Sequence, residues 1–154
     1  MNERWGRILF RTGAIALIVL GLAHSLSLFQ QPVPANATEQ QLNDLMTHYR
    51  FNLAGSMLTL SELLRGFSIS FMVEMLGLGI LDVLLQRERA GLLRRLALTN
   101  SVWLAILTAV SIRYFFIVPT LFLAVALAVF VLAWLKLPAE AHDGAPGLRP
   151  VFGR

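Results

Sequence analysis

Cysteine is absent from this chain and charge is scarce. With no thiol in 154 residues, disulfides, thiolate nucleophiles and Cys-ligated metals are excluded. Charged side chains make up 14% of the sequence, against about 25% in an ordinary soluble domain. No P-loop, GxSxG, HExxH or dinucleotide fingerprint occurs. Gly77-Leu78-Gly79 reads as helix packing rather than phosphate binding. The histidines His24, His48 and His142 form no ligand cluster, so neither a metal nor a haem, nor any other cofactor, is expected.

What is present is apolar sequence. Hydrophobic residues account for 56% of the chain, concentrated in four runs at about 12–29, 66–85, 96–112 and 115–135. Each is long enough to cross a hydrocarbon layer of roughly 30 Å. The expectation is an all-α protein, a four-helix transmembrane bundle of up-down topology in one unit. The first run could be read as a signal peptide, since Ala35-Asn36-Ala37 has the small-x-small form of a cleavage site. The run is longer than a usual signal core and ends well before that site, so a retained span is the preferred reading. Residues 1–11 then form an N-terminal tail. The stretch 138–154, rich in Pro, Gly and charge, reads as a disordered C-terminal tail.

The polar loop 30–65 is expected to hold a short amphipathic helix at about 39–49. Thr38 is its N-cap in this reading, Gln41 reaches back, and Leu42, Leu45, Met46 and Tyr49 form one face. Thr59-Leu60-Ser61-Glu62 repeats the capping-box pattern ahead of the second span. Pro119 falls in the first turns of the last span, where a missing N–H is tolerated.

The net charge of +4 is topological, not a sign of nucleic acid, because the basic residues flank the apolar runs. Arg4, Arg7 and Arg11, then Arg87, Arg89, Arg94 and Arg95, then Lys136, Arg149 and Arg154 fall on one side. Arg50, Arg65 and Arg113 fall on the other. The positive-inside rule places both termini in the cytoplasm, with the protein in a bacterial inner membrane. Trp5 and Trp134 would mark the inner interface, Tyr49 and Tyr114 the outer one.

The candidate site centres on Glu74, an ionisable residue near the middle of the second span. Such residues are costly at membrane depth and mark function by default. Lipid gives helices no hydrophobic reason to associate, so contact faces use small residues. Gly66, Ser70, Glu74 and Gly77 make such a stripe, as do Gly13, Ala16 and Ser27 with Leu20 and His24. Ala97, Ser101, Ala105 and Thr108 form a third, and Thr120, Ala124 and Ala128 a fourth. These stripes point Glu74 and His24 into the bundle. At a rise of 1.5 Å per residue, Glu74 lies about 12 Å below the outer end of its span. With His24, Ser70, Thr108 and Thr120 it would line an outward-facing polar pocket, whose mouth carries Arg65, Arg113 and Tyr114. Glu62 is a capping residue that can pair with Arg65. Asp82 is expected to pair with Arg87 or Arg89.

The segments GLAHSLSLF (21–29), YRFNLAGSMLTLSELLRGFSISF (49–71) and RYFFIVPT (113–120) resemble an uncharacterised family of small bacterial four-span integral membrane proteins. The resemblance implies the four-span layout and no particular activity. The architecture is more distantly similar to DoxX-like four-helix membrane proteins, a likeness of fold alone.

The functional expectation is the binding of a lipophilic or amphipathic small molecule (quinone, lipid or isoprenoid-like). One alternative is a structural or assembly subunit, associating with itself or with a membrane complex. Another is proton-coupled transport or lipid-modifying chemistry by Glu74 and His24. Membrane lipids are partners in every case.

Overall fold

The computed structural model describes residues 2–30 and 33–139. The expected tail at 140–154, with His142, Arg149 and Arg154, lies outside the described residues. Four helices are long and apolar enough to cross a membrane, so the chain is a multi-pass membrane protein built as an all-α four-helix bundle. They are α1 (Asn2–Ser27), α3 (Leu60–Leu85), α4 (Ala90–Tyr114) and α5 (Ile117–Lys136), with α2 (Ala37–His48) between the first two. Strands β1 (Arg50–Leu53) and β2 (Ser56–Thr59) form a hairpin ahead of α3.

The first three spans begin earlier than their apolar runs, and α5 begins two residues later than its own. Residues 2–11 continue α1 rather than forming a tail. At 26 residues, α1 is about 39 Å long, more than the hydrocarbon layer needs. The excess length is its arginine-bearing first turns, ahead of the apolar run. The start of α3 is fixed by the expected capping box. Glu62 N–H donates to Thr59 Oγ1 at 3.1 Å, and Thr59 N–H donates to Glu62 Oε2 at 2.8 Å. Glu62 also pairs with Arg50 at 3.5 Å, across the hairpin, in place of the expected Arg65.

The cap of α2 is a correction. Asn36, not Thr38, is the N-cap, accepting from Glu39 N–H at 2.9 Å. Glu39 reaches back to Ala35 N–H at 2.7 Å, the role assigned to Gln41. None of the residues of α2 is buried, and Leu42 and Leu45 stand exposed, as befits a helix lying in an interface. The β-hairpin was not anticipated. Phe51 pairs with Leu58 across antiparallel strands, and the two turn residues Ala54 and Gly55 have φ of +50° and +92°. Two positive values in a two-residue loop match the twist of a tight hairpin. Asn52 Oδ1 accepts from Gly55 N–H at 2.9 Å and holds the turn closed.

Helix α1 is central. It packs along α3 on one side and α5 on the other, and α4 packs along α5. Phe10, Leu17 and Leu20 of α1 meet Met75, Leu93, Leu104, Leu123 and Phe130 in one core. The rings of Phe10 and Phe130 stand edge to face at 5.7 Å. Glycines allow close approaches between the helices. A Cβ on Gly13 would come within 2.8 Å of the Phe130 ring, and one on Gly79 within 2.8 Å of the Ala14 carbonyl oxygen. The consecutive spans α3 and α4 do not pack along their length. One seam of the bundle stands open.

Candidate functional site

The open seam determines where the polar residues go. The buried face of α3 carries Met75, Gly79 and Asp82, one helical stripe at i, i+4 and i+7. Glu74 lies one position round from it and is exposed, as are Gly66, Ser70 and Gly77. The expected stripe thus faces away from α1, because Gly79 gives α1 a closer approach than Gly77 does. Glu74 consequently borders the seam instead of pointing into the core. With α3 starting at Leu60, Glu74 also lies deeper than the apolar run implied. It is about 21 Å from the start of the helix, within about 2 Å of its midpoint.

The seam is a groove of about 590 Å³ between α3 and α4. Glu74 and Leu78 line one wall, and Leu98, Thr99, Asn100, Val102 and Trp103 the other. Leu98, Val102 and Trp103 are all partly exposed, so the groove opens sideways, toward the lipid. Asn100 is buried, and its Nδ2 donates to Asp82 Oδ2 at 2.6 Å. This is the polar tie between α3 and α4, and it replaces the expected pairing of Asp82 with Arg87 or Arg89. Thr99, also in the lining, bonds its own helix, donating to Arg95 O at 3.1 Å.

The eight residues expected to share one pocket are distributed over several surfaces. Glu74 is in the lateral groove. His24 is half-buried between α1 and α3, its ring edge to face with Phe71 at 4.9 Å. Ser70 is exposed on α3. Thr108 is buried within α4 and donates to Leu104 O at 2.7 Å, an intrahelical bond that leaves little for a ligand. Thr120 lies 2.7 Å from Ser111 Oγ and joins α4 to α5. Arg65, Arg113 and Tyr114 are exposed near the hairpin end, with the Arg113 guanidinium 5.3 Å from the Tyr114 ring centre.

Asn100 and Trp103 stand out in the sequence as interruptions of an apolar run, but nothing there assigns them to a site. Their spacing of three places them on one face of α4. What faces them depends on the open seam, which no local pattern encodes. Among the described residues no group of three or more His, Asp or Glu side chains converges as a metal site would require.

The groove can accept a membrane-soluble body against Leu78, Leu98, Val102 and the Trp103 ring, and can offer it hydrogen-bonding groups at Glu74 and Asn100. Comparison with family models, with curated proteins and with solved structures gave no match.

Proposed function

We propose that this protein binds a lipophilic or amphipathic small molecule in the lateral groove between α3 and α4. The observation that carries the reading is an acidic side chain, Glu74, near the middle of a helix long and apolar enough to span, on an open groove shared with Trp103 and Asn100. An ionised side chain at that depth costs about 2.5–3.5 kcal/mol on the insertion scale. A ligand donor to Glu74 offsets that cost. The volume lies within the roughly 300–1,000 Å³ of small-molecule sites. The lateral opening suits a ligand that arrives through the bilayer rather than from water. Its chemistry is an extended apolar body with a hydrogen-bonding head, as in a quinone, a lipid or an isoprenoid-like molecule. The excess of arginine at the end carrying the N-terminus supports a cytoplasmic position for that end in a bacterial inner membrane.

Native mass spectrometry of wild type and Glu74→Ala, purified in mild detergent, tests the proposal. A specific bound small molecule is expected in the wild type and lost from the variant. Two empty proteins that differ only in melting temperature would contradict it.

A second reading, a subunit of a homo-oligomer or larger membrane complex, has its own support on α3. A Cβ added to Gly66 or Gly77 meets nothing within 4 Å. Small residues on an outward helix face are what a neighbouring membrane helix uses for close approach.

A further inference from the structure

We infer that the arginine cleft between the first turns of α1 and the α3–α4 turn is a binding site for the headgroup of an anionic phospholipid. The cleft holds about 630 Å³. Glu3, Arg4, Arg7, Ile8 and Arg11 line it from α1, and Gln86 and Arg87 from the turn. Spacings of three and four put Arg4, Arg7 and Arg11 in one column on α1, about 10 Å from top to bottom.

The four arginines have different tasks. Arg7 is the structural one. Its Nη1 donates to Glu88 O at 2.9 Å and to Gln86 O at 3.4 Å, while its Nε donates to Glu3 Oε1 at 2.9 Å. It ties the turn to α1 and uses the only acidic residue of the lining. Arg4, Arg11 and Arg87 form no ion pair among the described residues. Three arginines without an ion pair among the described residues thus line one cleft whose acidic residue, Glu3, is taken by Arg7, and guanidinium binds phosphate oxygens in paired hydrogen bonds.

Three observations make the anion a lipid headgroup rather than a soluble phosphate. The cleft lies on the first turns of α1, directly ahead of the apolar run that begins after Arg11. Ile8, 44% exposed, stands in the lining among the arginines and offers an acyl chain a first contact. Trp5 is exposed on the same turns, the position of an interfacial aromatic anchor. Basic pockets at the ends of membrane helices bind acidic headgroups by the same chemistry. The site is separate from the α3–α4 groove and does not depend on what that groove holds.

The test uses the whole protein in neutral detergent, titrated with phosphatidylglycerol or with phosphatidylcholine and read by native mass spectrometry. The expected result is preferential retention of phosphatidylglycerol. That preference falls about thirtyfold in Arg4→Gln/Arg87→Gln, which removes two basic residues from the headgroup contact. Arg7 is left intact because it holds the turn. Arg50→Gln/Arg113→Gln, at the hairpin end, removes the same net charge and is expected to keep the preference. On the unaltered protein the preference weakens with added salt. Equal retention of the two lipids would overturn the inference. So would a preference that survives Arg4→Gln/Arg87→Gln, one that vanishes equally in the hairpin-end variant, or one indifferent to salt. Displacement of phosphatidylglycerol by inorganic phosphate at matched concentration would assign the cleft to a soluble anion and overturn the lipid.

Discussion

At the scale of single residues, the contact between Asp82 and Asn100 does most to define the site. It is buried, short, and joins two spans that do not pack along their length. Removing one partner leaves the other polar group without its hydrogen bond, a penalty of about 1–3 kcal/mol. Asn100→Leu is therefore expected to lower the thermal midpoint in detergent by that equivalent. The double change Asp82→Leu/Asn100→Leu is expected to recover part of the loss, because no polar group is then stranded. A single variant that melts with the wild type would show that the bond carries no load. Sequence alone misplaces this pair, since Arg87 and Arg89 are closer along the chain to Asp82 and of opposite charge. Helix pairing brings in Asn100 from 18 residues away. Capping residues show the opposite limit. The Thr59–Glu62 box is local, so its pattern reads directly. The Thr38 pattern failed because Asn36 and Glu39 satisfy the same rule two residues earlier, and an asparagine caps as well as a threonine.

Among the elements, α3 decides how much of the site could be read ahead of the structure. Its length and hydropathy mark it as a span. Its faces are ambiguous, because small residues occur on two sides. The stripe through Gly66, Ser70 and Gly77 and the stripe through Met75, Gly79 and Asp82 are both plausible contact surfaces by composition. Steric fit with α1 selects the second, where Gly79 lies against Ala14 and Ile18. The two glycines therefore separate by mutation. Gly79→Leu is expected to break the seam between α1 and α3 and to destabilise the protein by about 1–3 kcal/mol or more, as overpacking does. Gly77→Leu is expected to leave the melting temperature of the isolated chain unchanged. Under the subunit reading it also dissolves an oligomer seen by light scattering of the detergent complex. The β-hairpin escaped notice for a different reason. Its strands are four residues each, too short for a clear alternation, and its turn uses Ala54 where Asn or Asp usually signals a tight loop.

For the whole molecule, the number of spans was legible because hydrocarbon thickness sets a minimum apolar length. Their ends were less so. Arginines at 4, 7 and 11 read as a tail, yet a helix that outruns the hydrocarbon carries its charges into the headgroups without unwinding. The open seam was not legible at all. A link of only four residues, 86–89, ordinarily joins antiparallel neighbours that pack together. Here α1 occupies the centre, binds α3 and α5, and leaves α3 and α4 without packing along their length, joined at the Asp82–Asn100 bond. Among the described residues the molecule thereby carries a largely apolar lateral groove with one acidic residue, Glu74, and a terminal cleft lined by arginines. The absence of cysteine allows the lateral groove to be addressed directly. Thr99→Cys places a single thiol in the groove, and Val125→Cys places one on the outward face of α5. Each purified variant is capped with a bulky maleimide and weighed by native mass spectrometry before and after. The account predicts a small molecule bound to both variants at the outset, released by the cap at position 99 and retained after the cap at position 125. A molecule that stays bound when the groove is filled, or no bound molecule in either variant, would contradict it.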